Sequence, residues 1–192
     1  MKALYIEPFS GLSGDMFLGS LCGLLDAYEE ILDLPEKLSL PDGRIEITPT
    51  DKNGIVCKQI RVIDLNETSE NSETHHHHDE SESDHHHGHH HHHNHHRHLS
   101  DIIKIIDEAA IPAEAKQIAR EIFQFIGEAE SQVHDIPIEK IHFHEISAVD
   151  SIIDIIGCAV LLERLEISET YCDPICAVSY THLRAHETVS YR

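Results

Sequence analysis

A segment without any hydrophobic pattern divides this chain into two parts that are able to fold. From Glu67 to His98 there is almost no apolar side chain, and fifteen of the twenty histidines lie within it. Such a segment buries too little apolar surface to offset the entropy lost on ordering. We therefore predict a mobile, disordered loop over residues 67–98, with ordered structure before and after it.

The part before the loop, residues 1–66, predicts a strand, a helix and a hairpin. The β-forming run KALYIEPF leads through SGLSG into a segment with helical spacing. That spacing is carried by Met16, Phe17, Leu21, Leu24 and Leu25. Two β-rich runs between Arg44 and Asp64 flank an Asn53–Gly54 pair, which favours a tight hairpin turn.

The part after the loop, residues 99–176, predicts three helices. Ser100 can cap the first, which stops near Pro112, and the second runs from Ala113 to about Val133. The predicted apolar stripe of the second helix is Ile118, Ile122, Phe125, Ile126, Ala129 and Val133. The third helix follows Ser147, which forms a loose capping box with Asp150, and it is apolar on nearly every side. Strands before the loop and helices after it indicate an α+β fold, with a small strand and hairpin layer on several helices.

Charge and composition limit the classes of partner that this chain can bind and indicate its compartment. Fourteen basic and 35 acidic side chains give a net charge of −21, which argues against nucleic acid and anionic membranes and favours cations. The start, MKALYIEPFSG, lacks the apolar stretch of a signal peptide, and no segment is long and apolar enough to span a membrane, so we expect a cytoplasmic protein. Five cysteines without a CxxC pair are expected to be reduced and buried.

The segment IHFHEISAVDSIIDIIG holds the strongest group of possible metal ligands. If residues 140–144 are extended, His142 and His144 point to the same side, next to Glu145. Asp150 and Asp154 are four residues apart on one helical stripe, and Asp154 lies in IIDII, where a charge is costly unless paired. A cation would remove that cost. The alternative is structural: Asp150 caps the helix, Asp154 meets a buried donor, and both histidines are surface residues.

A glycine turn precedes the first helix. Its residues Ser10, Gly11, Ser13, Gly14 and Asp15 form a candidate site for a phosphate or carboxylate group, because backbone N–H groups at a helix start favour an anion. The alternative is a tight turn capped by Ser13 or Asp15. Asp15 would repel an anion unless it holds a cation or lies to one side.

The histidine tract is a candidate metal reservoir. Neutral imidazoles bind borderline divalent ions, and interleaved carboxylates add a negative field. A tethered reservoir holds ions near a fixed site at an effective concentration of order millimolar. The candidate ligands are His75, His76, His77, His78, His85, His86, His87, His89, His90, His91, His92, His93, His95, His96 and His98. An inert polar loop is the alternative.

Two segments of this chain resemble a known family. YIEPFSGLSGDMFLGSL and IHFHEISAVDSIIDIIG, in this order and with a His-rich insert between them, are similar to the amino-terminal part of the LarC nickel-insertion proteins. The resemblance covers most of residues 1–176.

The resemblance implies an activity. These proteins insert Ni²⁺ into pyridinium-3,5-bisthiocarboxylic acid mononucleotide, a lyase-class nickel chelatase reaction that forms a nickel-pincer cofactor and consumes CTP with Mg²⁺ or Mn²⁺. By position, His142, His144 and Glu145 match the HFHE motif of the family, Asp150 and Asp154 match the acidic positions after it, and Asp15 matches its SGD. The resemblance implies that these residues are candidate metal or substrate contacts. The resemblance assigns no step to any of these residues. If this chain inserts nickel, a nearby base must accept the ring proton, and our candidate is Glu145 or Asp150.

The sequence also departs from the family. The carboxyl-terminal region linked to CTP is missing, so we expect an incomplete enzyme that pairs with a carboxyl-terminal LarC-type half or forms a homo-oligomer. Residues 177–192 have no periodicity that fits the fold and are expected to be a non-native tail, so His182 and His186 are not assigned as ligands.

A second hypothesis is a non-catalytic buffer or metallochaperone module for nickel or zinc. Deleting the tract separates the two hypotheses. A buffer would lose nearly all of its metal capacity, whereas an insertion protein should keep a tight site in the ordered part.

Overall fold

The structure is a computed structural model that describes residues 2–8, 11–52, 54–65, 97–143 and 148–174. It has an α+β fold, as the sequence predicts. Most of the predicted loop 67–98 and all of the predicted tail 177–192 lie outside the described residues. The chain divides into two compact units, which are Met1–Leu12 with Ile167–Arg192, and Ser13–Glu166.

The first unit contains a two-stranded parallel sheet. Strand β1 (Ala3–Ile6) pairs with β4 (Glu169–Cys172), in a register that places Ala3 opposite Glu169. The Tyr5 hydroxyl donates a hydrogen bond of 2.7 Å to Asp173 Oδ1. The sequence did not predict β4, which adds a strand after the predicted helices. Four residues without strict alternation give too weak a periodic signal to identify a strand.

In its described residues, the second unit contains the hairpin and six helices. The hairpin pairs β2 (Gly43–Lys52) with β3 (Ile55–Asp64), as predicted, and Gly54 has a φ of 84°, which is easily adopted only by glycine. Asn53 of the predicted turn lies outside the described residues. The helices are α1 (Gly14–Leu25), α2 (Tyr28–Leu32), α3 (Leu34–Lys37), α4 (Leu99–Glu108), α5 (Ala113–His134) and α6 (Val149–Leu165). A 3-10 turn at Ile138–Lys140 follows α5, and the short helices α2 and α3 were not predicted.

Helix α6 lies in the middle of this unit and contacts α1, α5 and the hairpin. Its buried residues occupy nearly every turn, which confirms that this helix is enclosed. They are Val149, Ile152, Ile153, Ile156, Gly157, Cys158, Ala159 and Leu161. At Gly157 a Cβ atom would lie 2.9 Å from Leu18 Cδ1, so glycine permits the close approach of α1.

The buried faces of two helices differ from the predicted stripes. In α1 the buried residues are Leu18, Leu21 and Cys22, whereas Met16 and Leu24 are 54% and 65% exposed. In α5 the buried residues are Ala115, Ala119, Phe123 and Gly127, whereas Phe125 and Val133 are 74% and 79% exposed. Both helices are apolar on more than one side, and the side that is buried depends on which neighbour approaches.

The helix starts also differ from expectation. Helix α4 is capped by His98 rather than Ser100, since the His98 N–H donates to Asp101 Oδ2 at 2.9 Å. The N-cap of α6 is Ala148, which makes no side-chain cap bond, and Ser147 of the predicted capping box lies outside the described residues.

Four free cysteines are described. Cys22 and Cys158 are buried as predicted, and burial raises the pKa of the Cys22 thiol to about 11. The prediction of burial was wrong for Cys57 and Cys172, which lie on exposed strand positions. No helix in the described ranges is long and apolar enough to cross a membrane.

Candidate functional site

Helix α6 carries two carboxylates close to its start. Asp150 lies in the first turn and is exposed, and Asp154 lies one turn later and is half-buried between fully buried isoleucines. Because residues four apart share a helix face, both carboxylates point to the same side, as predicted. The buried neighbours Ile152, Ile153 and Ile156 hold this face in place.

The start of α1 lies directly against Asp154. At Gly14, the first residue of α1, a Cβ atom would lie 2.6 Å from Asp154 Oδ2 and 3.0 Å from the Asp154 Cβ. Only a residue without a side chain leaves room for the carboxylate there. The two sequence motifs, separated by most of the chain, therefore meet at this contact.

Asp15 adds a third carboxylate to this place. The Ser13 hydroxyl donates a hydrogen bond to Asp15 Oδ1, and the Met16 N–H donates to the same oxygen at 2.9 Å. Ser13 is the N-cap of α1, but its side chain makes no cap bond. We call Asp15, Asp150 and Asp154 the acidic cluster.

Within the acidic cluster, a negative charge is least favourable on Asp154. Burial, followed by the charges of Asp15 and Asp150, raises the pKa of Asp154 to about 7 from an ordinary value of 3.8. Asp154 Oδ1 is inaccessible to water and has no hydrogen-bond partner. Among the described residues, no donor supports the structural alternative at this oxygen.

This arrangement favours a cation over an anion. An unpaired, buried carboxylate beside two others is destabilised when ionised, and a divalent cation would compensate all three charges. The same charges oppose a phosphate at the start of α1, although a helix start alone favours anions. Gly11 of the predicted anion site has a φ of 89°, and its N–H already donates to the Pro8 carbonyl oxygen at 3.2 Å.

The HFHE segment is described only as far as Phe143. Ile141 and Phe143 are buried, and His142 between them is exposed, which agrees with the predicted alternation. The His142 ring lies against the ring of His98, with the two centroids 3.9 Å apart.

Several predicted ligands lie outside the described residues. They are Ser10, His144, Glu145 and the tract histidines from His75 to His96. Within the described residues no group of three His, Cys, Asp or Glu side chains is already arranged around a metal position. The acidic cluster therefore carries uncompensated negative charge, and its carboxylates do not form a closed metal-coordination site.

Sequence reasoning missed the role of Gly14. It assigned this residue to an anion-binding turn, whereas the structure uses the missing Cβ for the approach of Asp154. The available signal was a glycine at the first helical position, where glycine has no propensity advantage and thus needs another reason.

Comparison with known proteins agrees with this combination of motifs. The profile of the nickel insertion protein family matches residues 4–191. A putative nickel insertion protein of Dictyoglomus thermophilum is 38% identical over 98% of this chain and 42% of its own length.

Two further relatives carry a more specific name, pyridinium-3,5-bisthiocarboxylic acid mononucleotide nickel insertion protein. The one from Staphylococcus epidermidis RP62A is 36% identical over 91% of this chain and 38% of its own length. The one from Geobacillus kaustophilus is 39% identical over 91% of this chain and 39% of its own length. This chain spans about two fifths of the length of these relatives. No solved structure gives a significant match.

The family profile covers nearly the whole chain, including both motifs that form the acidic cluster. This chain belongs to the nickel insertion protein family.

Proposed function

We propose that this chain binds Ni²⁺ at the acidic cluster and presents it for insertion into pyridinium-3,5-bisthiocarboxylic acid mononucleotide. The observation that carries the proposal is Asp154, whose inaccessible Oδ1 has no partner and whose charge is opposed by Asp15 and Asp150. The names of the relatives supply the metal and the substrate.

The chemistry of the ligands fits a site that releases its metal. Carboxylates and imidazoles are harder ligands than the thiocarboxylate sulfurs of the substrate, so a borderline ion such as Ni²⁺ moves towards the softer set. His144 and Glu145 are proposed as further ligands of the acidic cluster. Nickel replaces a proton on the substrate ring carbon, and Glu145 or Asp150 is proposed to accept it.

The complete reaction is proposed for this chain together with the remaining length of the family. We expect CTP, with Mg²⁺ or Mn²⁺, to act through a carboxyl-terminal LarC-type region supplied by a partner. Mixing the two parts and measuring nickel insertion with and without CTP tests this requirement. Insertion by this chain alone, without CTP, would contradict it.

Nickel-dependent thermal unfolding of the full chain tests the acidic cluster. A ligand that binds only the folded state raises the midpoint temperature, whereas side chains that bind equally well in the unfolded chain do not. At a nickel concentration of about 100 times the Kd the expected rise is roughly 5–10 °C. Asp154→Asn should abolish most of this rise, because it removes the central charge and leaves the shape nearly unchanged.

The matched control is Glu114→Gln. Glu114 is exposed in the first turn of α5 and is not part of the acidic cluster. Its replacement by glutamine removes one negative charge, as Asp154→Asn does. This variant should keep the nickel-dependent rise. An unchanged rise in Asp154→Asn would show that nickel is bound elsewhere in the folded chain.

One observation favours the alternative of a nickel or zinc buffer: no group of three ligands is assembled within the described residues. Deleting residues 75–96 distinguishes the two. The deletion should stop before Arg97, which pairs with Asp42 at 3.7 Å, and before His98, which caps α4. A buffer would then lose nearly all bound nickel, whereas an insertion protein should keep the nickel-dependent rise in midpoint.

A further inference from the structure

Two histidines from separate segments come together at the surface of the second unit. We propose that His98 and His142 form a two-imidazole binding site for a borderline divalent metal ion, apart from the acidic cluster. Its use as a loading position for nickel rests on the proposed function, but its ability to bind metal does not.

The backbone fixes the two residues opposite each other. His98 and His142 form an antiparallel β-bridge that joins the start of α4 to the segment after the 3-10 turn. Ile141 and Phe143 are 2% and 1% exposed, so the side chains on both sides of His142 are held in the core. His142 must then point outwards, towards the ring of His98.

The hydrogen bond of His98 selects the nitrogen that is free for a metal. His98 Nδ1 lies 3.1 Å from the Ile141 carbonyl oxygen. Because a carbonyl oxygen can only accept, Nδ1 carries the proton, and the lone pair of the neutral ring is on Nε2. A metal-binding histidine typically has its other nitrogen bonded to a carbonyl or carboxylate in this way.

One ring is held and the other can adjust. The His98 backbone N–H donates to Asp101 Oδ2, and the preceding Arg97 pairs with Asp42, so the His98 backbone is fixed at the start of α4. His142 is exposed, and its ring contacts the ring of His98. The rings are tilted by 44° with centroids 3.9 Å apart, so their planes open on one side.

Chelation requires His142 to rotate until one of its ring nitrogens lies near His98 Nε2. Metal–nitrogen bonds of about 2.0–2.1 Å bring two ligand nitrogens within roughly 3 Å of each other. Two protein ligands leave the other coordination positions to water, which gives exchangeable binding rather than storage. Nitrogen ligands admit Ni²⁺, Cu²⁺ and Zn²⁺, and His98 is also the last histidine of the tract, so the chain order suits a loading position.

Residue-resolved chemical modification of the full chain tests the pair. Diethyl pyrocarbonate acylates a free imidazole nitrogen, and peptide mass mapping reports each histidine separately, so the tract does not obscure the result. Ni²⁺ alone should lower modification of both His98 and His142 by about tenfold at ten times the site's Kd, where roughly one site in eleven is free. His134, an exposed histidine beside Glu130 on α5, should be protected much less and is the internal control.

Reciprocal loss of protection is the decisive outcome. In His142→Ala the nickel protection of His98 should disappear, and in His98→Ala that of His142 should disappear. His98 also caps α4, so His98→Ala could unfold the chain. In that case His142→Ala still tests the pair, because His142 is exposed and its loss should not unfold the protein. Protection that persists at either histidine without its partner would overturn the pair, as would no protection in the full chain.

The same measurement separates this site from the proposed function. Asp154→Asn should leave the protection of His98 and His142 unchanged while it removes most of the nickel-dependent rise in midpoint, and the small remaining rise comes from the histidine pair. If protection disappears in Asp154→Asn, the histidines are part of the acidic site and the claim of a separate site is wrong. If the rise in midpoint is no larger in the wild-type chain than in Asp154→Asn but protection remains, the acidic site fails and the pair stands.

Discussion

The acidic cluster and the histidine pair use opposite physical means to prepare for a cation. In the acidic cluster a half-buried carboxylate has an unpartnered oxygen and a pKa raised to about 7. In the histidine pair the ring of His98 already has a hydrogen-bond partner, and His142 is exposed. Without a bound cation the acidic cluster destabilises the folded protein, whereas the histidine pair has almost no effect on its stability.

This difference indicates how affinity is divided between the two sites. Ionised carboxylates that have lost water gain strongly from a divalent ion, so a site of this kind binds tightly and only in the folded protein. The exposed His142 and the partly buried, already hydrogen-bonded His98 gain little beyond the metal–nitrogen bonds, so their site exchanges readily. Changing each site in the metal-free protein should therefore have very different effects on stability.

The largest effect is expected for Gly14→Ala. Its Cβ atom would lie 2.6 Å from Asp154 Oδ2, so either the carboxylate or the start of α1 must move. We expect a loss of about 1–3 kcal/mol in the free energy of unfolding, measured by urea titration.

The matched control is Gly19→Ala in the same helix. A Cβ atom at Gly19 would meet only Ile60 at 3.9 Å, which is an ordinary contact. This change should be neutral or stabilising by up to about 1 kcal/mol through helix propensity. An equal loss in both variants would show that α1 does not tolerate alanine in general, and the close approach of Asp154 would explain nothing.

The second effect is a pH dependence of stability in the metal-free protein. The unfolded chain releases the Asp154 proton above its ordinary pKa of 3.8, whereas the folded chain retains it up to about 7. The contribution of Asp154 is therefore present below pH 4 and is lost as the pH rises to about 7. Because Asp154 is partly exposed, solvent screening weakens the effect, and we expect the free energy of unfolding to change by about 1–2 kcal/mol.

Asp154→Asn should remove this slope. The variant and the wild-type chain should differ most above pH 7, where the variant is more stable, and should converge near pH 4 in chelator-treated protein. Parallel pH profiles of the two proteins would mean that Asp154 is solvated or paired in the folded state, and the contrast with the histidine pair would disappear.

The smallest effect is expected for His142→Ala without metal. The side chain is exposed and its ring contact with His98 is a surface contact, so the free energy of unfolding should change by less than about 0.5 kcal/mol. A loss several times larger would show that the ring contact is structural, which would weaken its assignment as a metal site. Chemical denaturation at neutral pH measures the difference.

Helical periodicity predicted the existence of the main helices but not always their buried faces. The range Ala113 to Val133 was predicted almost to the residue, yet Phe125 and Val133 are exposed, and α5 buries Phe123 beside Ala119 and Gly127. A helix with apolar residues on two sides has two possible buried faces, and large side chains are not always preferred. The close approach of a neighbour selects the face with small residues: at Gly127 a Cβ atom would lie 3.2 Å from Leu99 Cδ2.

The sequence by itself determined the local features of this protein: the hairpin, the long helices, the shared face of Asp150 and Asp154, and the energetic cost of a carboxylate within IIDII. These depend on residues a few positions apart, where periodicity and desolvation act directly. Only the tertiary structure decided that Gly14 lies against Asp154 and that His98 lies against His142. Such pairings join segments far apart in the chain, and they follow from how the helices and the bridge pack together, which no local pattern contains.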